Sequence, residues 1–171
     1  MARQLTAATT PTASTEGRCE MAIVTGSVEV AAPLSAVYNQ WTQFTSFPHF
    51  MSGVEQVTQI DDTHTHWVIS LGGVTREFDA TIVVQHPDQR LAWSSTDGTT
   101  HSGVVSFETL DDTHTRVTVE MNWQPAGLIE KVGKGLGFDG RQVGADLVRF
   151  KSFIENRGSE TGAWRGEVPA R

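Results

Sequence analysis

The sequence predicts an α+β fold in which one long helix covers a curved antiparallel sheet of seven strands. Three observations indicate this fold. Residues 22–30 alternate between apolar and polar side chains, which is the period of a β-strand. Residues 54–123 continue with six strand-like segments joined by tight turns, and such short connections require antiparallel neighbours. Residues 139–157 carry one apolar stripe at helical spacing, which suits a cover for the apolar face of the sheet.

The chain begins with a tail, a strand and two short helices. Residues 1–20 are rich in Thr, Ala and Ser without a hydrophobic period, so we expect a disordered tail. Val24, Val28 and Val30 share one face of the first strand. Pro33 suits a first helical turn, and the residues after it repeat at helical spacing. The segment "SFPHFM" then predicts a second short helix or turn.

Six further strands and the long helix complete the predicted fold. Paired acids, glycines, "HPDQ" and "DGTT" separate the strands, and these residues are typical of turns. Along the helix, Val143, Leu147, Phe150 and Ile154 are spaced four, three and four residues apart, and Gly158 ends it. The predicted strands span about 54–60, 64–71, 74–85, 90–95, 101–110 and 114–123.

Length and composition bound the class of protein. They suit one domain, which we place at 21–158 between the tail and a C-terminal extension at 159–171. The net charge of −7 argues against a nucleic-acid partner. Cys19 is the one cysteine, so an intrachain disulfide and a cysteine metal cage are excluded. No run approaches the roughly 18 apolar residues of a membrane span, and the first residues lack the apolar centre of a signal peptide, so we expect residence in the cytoplasm.

The sequence DDTHT occurs twice, at 61–65 and 111–115. Both copies fall between strands, where Asp favours a turn and Thr suits the strand that follows. His64, His86 and His114 would lie at one end of the sheet, which suggests a metal site. However, alternate hairpin turns are about 10 Å apart, whereas zinc ligands converge to about 2 Å from the ion. We therefore predict the same turn twice and no metal site.

Three polar side chains are predicted on the apolar face of the sheet. Alternation along strand 74–85 places Arg76 on the same face as an apolar set that ends at Val84. Ser95 ends the next strand and His101 begins the one after it. Because these strands are neighbours, we expect the three side chains to form a row about 10 Å long at one end of the sheet.

These residues predict a small-molecule site, because such sites are mostly apolar cavities with a few convergent polar groups. Tryptophans would supply aromatic walls, and Gly103 would leave space that a side chain would fill. Other interpretations stay open: Arg76 reaches solvent or pairs with an acid such as Asp139, His101 is a half-exposed strand end, and the tryptophans form core. The predicted ligand-binding residues are Arg76, Phe78, Trp93, Ser95, His101, Gly103, Phe107, Met121, Trp123 and Phe150.

The linker 124–138 combines apolar residues with several glycines, which disfavour a rigid helix. An apolar, flexible segment at a pocket mouth is typical of a lid. Lys131 and Lys134 beside those apolar residues would suit contact with an anionic membrane surface. A loop that simply packs on the sheet is the alternative.

The arrangement resembles the helix-grip (SRPBCC) superfamily over about 22–166. That superfamily includes START lipid-transfer domains, birch-pollen-allergen-like proteins, coenzyme Q-binding proteins and polyketide cyclases. The resemblance is closest to the bacterial polyketide cyclase/dehydrase group. It is carried by "VEVAAPLSAVYNQWTQFTSFPHFM", "REFDATIVVQHPDQRLAWSS", "GVVSFETLDDTHTRVTVEMNW" and "FKSFIENRGSETGAWRGEV". It implies a sheet and a long helix that enclose a hydrophobic cavity, and because this fold hosts many activities it implies no single function.

Three functions follow as hypotheses. The first is a carrier or sequestering protein for a lipid, an isoprenoid quinone or a polyketide-like aromatic. The second is a polyketide cyclase or aromatase in which Arg76 would stabilise an enolate and His101 would move protons. The third is an interaction module that has lost ligand binding. No nucleophile triad, phosphate loop or metal spacing is present in the sequence, so we expect no cofactor, favour the first hypothesis, and leave monomer and homodimer both open.

Overall fold

The computed structural model describes residues 22–71, 73–96, 101–123 and 140–169. The predicted order of elements is confirmed, and most predicted strand bounds lie within one residue of the observed ones. The strands are β1 (Ala22–Val30), β2 (Val54–Gln59), β3 (His64–Leu71), β4 (Val74–His86), β5 (Arg90–Ser95), β6 (His101–Asp111) and β7 (His114–Trp123). The helices are α1 (Leu34–Trp41), a 3₁₀ helix (Phe44–His49) and α2 (Gly140–Arg157).

The seven strands form one curled antiparallel sheet with the order β1-β7-β6-β5-β4-β3-β2. Strands β2 to β7 follow one another as hairpins, as their short turns require. The first strand pairs with the last along its whole length, from Ala22 opposite Trp123 to Val30 opposite Thr115. Helix α2 lies across β1, with Val143 and Leu147 against its backbone. The core is therefore enclosed between one face of the sheet and the helices.

A β-bulge in β4 changes which residues face the core. The pairing with β5 shifts between Ile82 and Val84, so the alternation that places Ile82 inward is interrupted. The prediction that Val84 faces the core is wrong: Gln85 is turned inward instead and is 1% exposed. The Gln85 amide donates a hydrogen bond to the Tyr38 hydroxyl at 2.9 Å. Burial raises the pKa of the Tyr38 phenol above its ordinary value.

Residues 159–169, which we call the C-terminal strap, pack against α1. The Thr161 N–H donates to the Gln40 side-chain oxygen at 2.8 Å, and the Gln40 amide donates back to Thr161 Oγ1 at 3.1 Å. The Arg165 guanidinium donates to Asn39 Oδ1 at 2.8 Å. Val168 and Gln85 exchange two backbone hydrogen bonds. The strap thus supplies partners for polar side chains of α1 that are buried, as buried polar groups require.

The two DDTHT segments form the same turn, as predicted. Asp61 Oδ1 accepts hydrogen bonds from the Thr63 N–H and the His64 N–H, both at 2.8 Å. Asp111 Oδ1 accepts the Thr113 N–H at 2.8 Å. In each copy the histidine ring nitrogen lies 2.9 Å from the same aspartate oxygen. The repeated motif is therefore a local turn structure that needs no metal ion to explain it.

These turns predict two unusually acidic carboxyl groups. The Thr63 N–H lowers the pKa of Asp61 to about 2, and the Thr113 N–H lowers the pKa of Asp111 to about 2, with further contributions from the His64 and His114 side chains. Because both pKa values are lower in the folded chain than the ordinary value of about 3.9, the stabilisation is complete above pH 4 or so and is lost as the pH falls through about 2.

We expect an NMR titration of the carboxyl carbons to give midpoints near 2 for both aspartates. The double variant Asp61→Asn/Asp111→Asn should lose less stability than the wild type between about pH 4 and pH 2. The matched control is Asp62→Asn/Asp112→Asn, which changes neighbouring acids that make no hydrogen bond in the turns. Midpoints near 4 would contradict the turn hydrogen bonds.

Candidate functional site

An apolar pocket lies between the sheet, the 3₁₀ helix and α2. Its aromatic wall consists of Trp41, Phe44, Phe47, Trp67, Phe78 and Trp93. Thr65 and Asp146 are the polar residues among the described ones that line it. The pocket leaves about 70 Å³ for the centre of a water-sized sphere. Since one water needs about 10–15 Å³ by this measure, there is room for roughly five to seven waters, or for one to two aromatic rings.

Five of the predicted ligand-binding residues have large apolar side chains that the structure describes. Phe78, Trp93 and Met121 line the pocket. Phe107 and Phe150 are buried beside it in the aromatic core, where Phe107 packs edge-on against Tyr38 at 5.4 Å and Phe150 against Trp41 at 5.0 Å. These two residues support the pocket wall from behind and do not line it.

Arg76 shares a face with the pocket residue Ile69 but does not line the pocket, and it does not align with Ser95, so the predicted row of three polar side chains is wrong. Arg76 pairs with Ile69 of β3, and its residue is exposed. Ser95, at the end of β5, pairs with Ala80, four residues or about 13 Å further along β4. The reason is that β4 extends well past the end of β5, so equal positions from the turns do not align. Of the two, Ser95 is half-buried on the inward face.

Two predicted site residues are placed by their backbones alone. His101 pairs with Trp123 at the ends of β6 and β7, and the side chains of both lie outside the described part of the chain. The predicted lid at 124–138 and the acid Asp139 also lie outside the described residues, as does the tail 1–20. The contacts of these residues therefore remain predictions.

Gly103 does not leave empty space, contrary to the prediction. A Cβ atom at this position would lie 2.2 Å from Cζ2 of Trp93, so the Trp93 indole lies directly on the Gly103 backbone. Trp93 and Gly103 are opposite each other on β5 and β6. A glycine facing an aromatic residue across strands allows the ring to cover the backbone. The pocket wall here is therefore the indole itself.

Asp146 is a pocket residue that the sequence analysis missed. It lies on α2 and is 5% exposed. Its Oδ1 accepts hydrogen bonds from the Ser52 N–H at 3.2 Å and the Ser52 hydroxyl at 3.3 Å. Gln142 and Arg149 also donate to this oxygen, each at 3.1 Å. A signal was present, since Asp146 is three residues after Val143 and therefore shares the apolar stripe of the helix.

Asp146 is the charged residue among the described ones that line the pocket. All four of these hydrogen bonds fall on Oδ1. A carboxylate accepts hydrogen bonds at both oxygens, so Oδ2 can accept one from a ligand hydroxyl.

The described ranges contain no group of three His, Cys, Asp or Glu residues arranged to hold a metal ion. Likewise, no helix among them is long and apolar enough to cross a membrane.

A curled antiparallel sheet with a long covering helix and an apolar pocket between them is the helix-grip fold. The chain belongs to the family described as polyketide cyclase / dehydrase and lipid transport, which it matches over residues 30–151. This match confirms the resemblance stated from the sequence. Because the family includes both cyclases and lipid transporters by its description, membership alone does not choose between them.

Relatives of the chain include one close sequence match and distant structural matches. An uncharacterized 17.2 kDa protein in the melC2-rnhH intergenic region of Streptomyces lincolnensis is 54% identical over 149 residues, 86% of this chain and 99% of that one. The Zhui aromatase/cyclase of Streptomyces sp. R1128 has a TM-score of 0.64 at 18% identity, covering 85% of this chain and 100% of that one. A START superfamily protein of Mycobacterium smegmatis has a TM-score of 0.59 at 14% identity, covering 79% and 95%. At such identities the two structures establish a shared fold.

Proposed function

We propose that this protein binds a hydrophobic small molecule in the apolar pocket and acts as a carrier or sequestering protein. The observation that carries the proposal is the composition of the wall, which among the described residues has six aromatic and two polar side chains. Such a surface gains free energy by contact with an apolar ligand and offers few groups for chemistry. The room for one or two rings favours a polyketide-like aromatic or the head of a quinone over a whole lipid.

A polyketide cyclase or aromatase is the alternative, and Asp146 is the observation that favours it. A buried carboxylate beside a bound polyketide would be able to accept a proton from a carbon between two carbonyl groups. The hypothesis stated from the sequence assigns enolate stabilisation to Arg76. Because Arg76 is exposed and outside the pocket lining, an enzyme built on this pocket would need another cation or hydrogen-bond donor for the developing charge. We therefore favour the binding function.

Filling the pocket should abolish ligand binding without unfolding the protein. Met121 lines the pocket and is partly exposed, so Met121→Trp would occupy ligand space while part of the new ring reaches solvent. We expect a two-ring probe, 2-naphthol, to bind the wild type and to lose at least about tenfold in affinity in this variant, equivalent to about 1.4 kcal/mol. Isothermal titration calorimetry measures this affinity directly.

The matched control is Glu120→Trp, which adds the same ring to the adjacent, exposed residue on the other face of β7. This control should bind 2-naphthol with nearly wild-type affinity. Equal loss in both variants, with both folded by circular dichroism, would show that the probe binds outside the pocket. Conversion of an open-chain poly-β-ketone to a naphthol-like product with loss of water, at a rate abolished by Asp146→Asn, would favour the cyclase.

A further inference from the structure

One wall of the pocket is built from a row of residues that are neighbours across four strands. Met121 pairs with Gly103, Gly103 with Trp93, and Trp93 with Ile82. Met121, Trp93 and Ile82 line the pocket, whereas Gly103 does not. The reason is that the Trp93 indole covers Gly103, with Cζ2, Cη2 and Cε2 at 2.2, 2.4 and 2.8 Å from the position of a Cβ atom at residue 103.

This contact fixes how far the indole projects into the pocket. Real Cβ atoms do not approach other heavy atoms as closely as 2.2 Å, so any side chain at 103 would force the ring to move. Backbone lies behind the ring, and the pocket lies in front of it. The movement would therefore be directed into the ligand space. With glycine at 103, the Trp93 indole lies against the β6 backbone, so the pocket is as wide as this row of residues permits.

The other two tryptophans of the wall are held by different contacts. Trp41 is 1% exposed and packs edge-on against Phe47 and Phe150. Trp67 stacks on Phe78 with an interplanar angle of 2°, and its Nε1 donates to Thr65 at 2.8 Å. Trp93 is partly exposed, as Trp67 is, and lies on the short strand β5. Its ring lies on the backbone of Gly103.

We propose that Trp93, seated on Gly103, sets the upper size limit of the ligand at about two fused rings. This inference rests on the proposed binding function and deepens it by naming the size class. A ligand with a third fused ring meets the indole face, whose retreat is blocked by the β6 backbone. Removal of the indole, with Gly103 left in place, opens a groove along β6 that a third ring fills.

The test compares two probes that differ by one ring, 2-naphthol and 2-hydroxyanthracene, on the full chain. In the wild type we expect the two-ring probe to bind more tightly. In Trp93→Leu the ratio of the two dissociation constants should shift by at least about tenfold toward the three-ring probe. The matched control is Trp67→Leu, which removes the same side chain from a wall with no glycine behind it, and should weaken both probes while the ratio changes less than about twofold.

A second measurement tests the contact between the Trp93 ring and the Gly103 backbone without a ligand. Gly103→Ala should lower the melting temperature of the wild type by about 4–10 °C, the size expected for overpacking in a protein of this length. In the Trp93→Leu background the same change should lower it by less than half as much, because the clash is gone. Additive effects of the two changes on the melting temperature would contradict the contact between Trp93 and Gly103.

The outcomes separate this inference from the function on which it rests. Binding of both probes with an unchanged ratio in Trp93→Leu would overturn the size limit and leave the binding function intact. An equal shift in Trp67→Leu would do the same, because any wall tryptophan would then set the size. Failure of the wild type to bind either probe would overturn the binding function and the size limit together.

Discussion

Ending the chain at Gly158, which removes the C-terminal strap, is expected to lower the free energy of unfolding by about 3–5 kcal/mol. The strap supplies hydrogen-bond partners to Asn39 and Gln40 of α1, which are 8% and 0% exposed. It also adds a two-bond β-bridge to Gln85 at the bulge of β4. A buried polar group that loses its hydrogen-bond partner costs more free energy than an exposed group that loses a contact. Urea unfolding followed by circular dichroism measures the change.

A point variant keeps this prediction testable if the shortened chain does not fold. Arg165 donates to Asn39 at 2.8 Å, pairs with Asp88, and lies over the Tyr38 ring at 5.5 Å. Arg165→Met should cost about 1–2 kcal/mol, a figure reduced for the partial exposure of the Asp88 pair. The matched control is Glu167→Gln, because the Glu167 pair with His86 is exposed and should contribute less than about 1 kcal/mol. Wild-type stability of the shortened chain would show that water replaces the strap.

Asp146→Asn is expected to reverse the preference of the pocket between hydroxyl and carbonyl ligands. Four donors from Ser52, Gln142 and Arg149 surround Oδ1, so they should hold the amide oxygen on their side. The amide nitrogen would then take the place of Oδ2 and face the pocket as a donor. A phenol such as 2-naphthol should lose roughly 10- to 100-fold in affinity, the value of a hydrogen bond to a charged acceptor. A quinone of the same size, 1,4-naphthoquinone, should bind at least as well as before.

Asp146→Ala separates this effect from a loss of structure. The alanine leaves the Ser52, Gln142 and Arg149 donors without their acceptor, so it should destabilise the protein by about 1–3 kcal/mol. Asp146→Asn should change the stability by less than that, because all four donors keep an oxygen. Calorimetric affinities for the phenol and the quinone, with melting temperatures of both variants, measure the two effects. Equal changes for phenol and quinone in Asp146→Asn would show that Oδ2 does not contact the ligand.

Most of the architecture could be predicted because its signals are local. A strand shows alternation over a few residues, and a hairpin shows Asp or Gly in its turn. Both can be predicted without knowledge of distant residues. The long helix shows the same: its apolar stripe predicted the element, and Gly158 has φ +71 with its N–H bonded to Ile154. The DDTHT turns could be predicted for this reason too, because the donors to Asp61 Oδ1 and Asp111 Oδ1 lie within three residues of each aspartate.

The candidate site could be predicted only in part. Phe78, Trp93 and Met121 were assigned correctly to the inward face, because parity holds along an unbroken strand. Parity failed at the bulge of β4, where two adjacent valines gave no sign of the interruption. Parity placed Arg76 correctly on the face it shares with Ile69, but the predicted alignment of Arg76 with Ser95 was wrong, because strand lengths decide which ends align.

The sequence by itself determined the elements, their order, the antiparallel meander and the family, since each depends on residues close together in the chain. The tertiary structure alone decided the rest of the site. Asp146 is buried because Ser52, 94 residues away, meets it, and Trp93 can line the pocket because Gly103 on the next strand has no side chain. Such contacts depend on register and on the packing of helix against sheet, and a one-residue change in either would bring different side chains together.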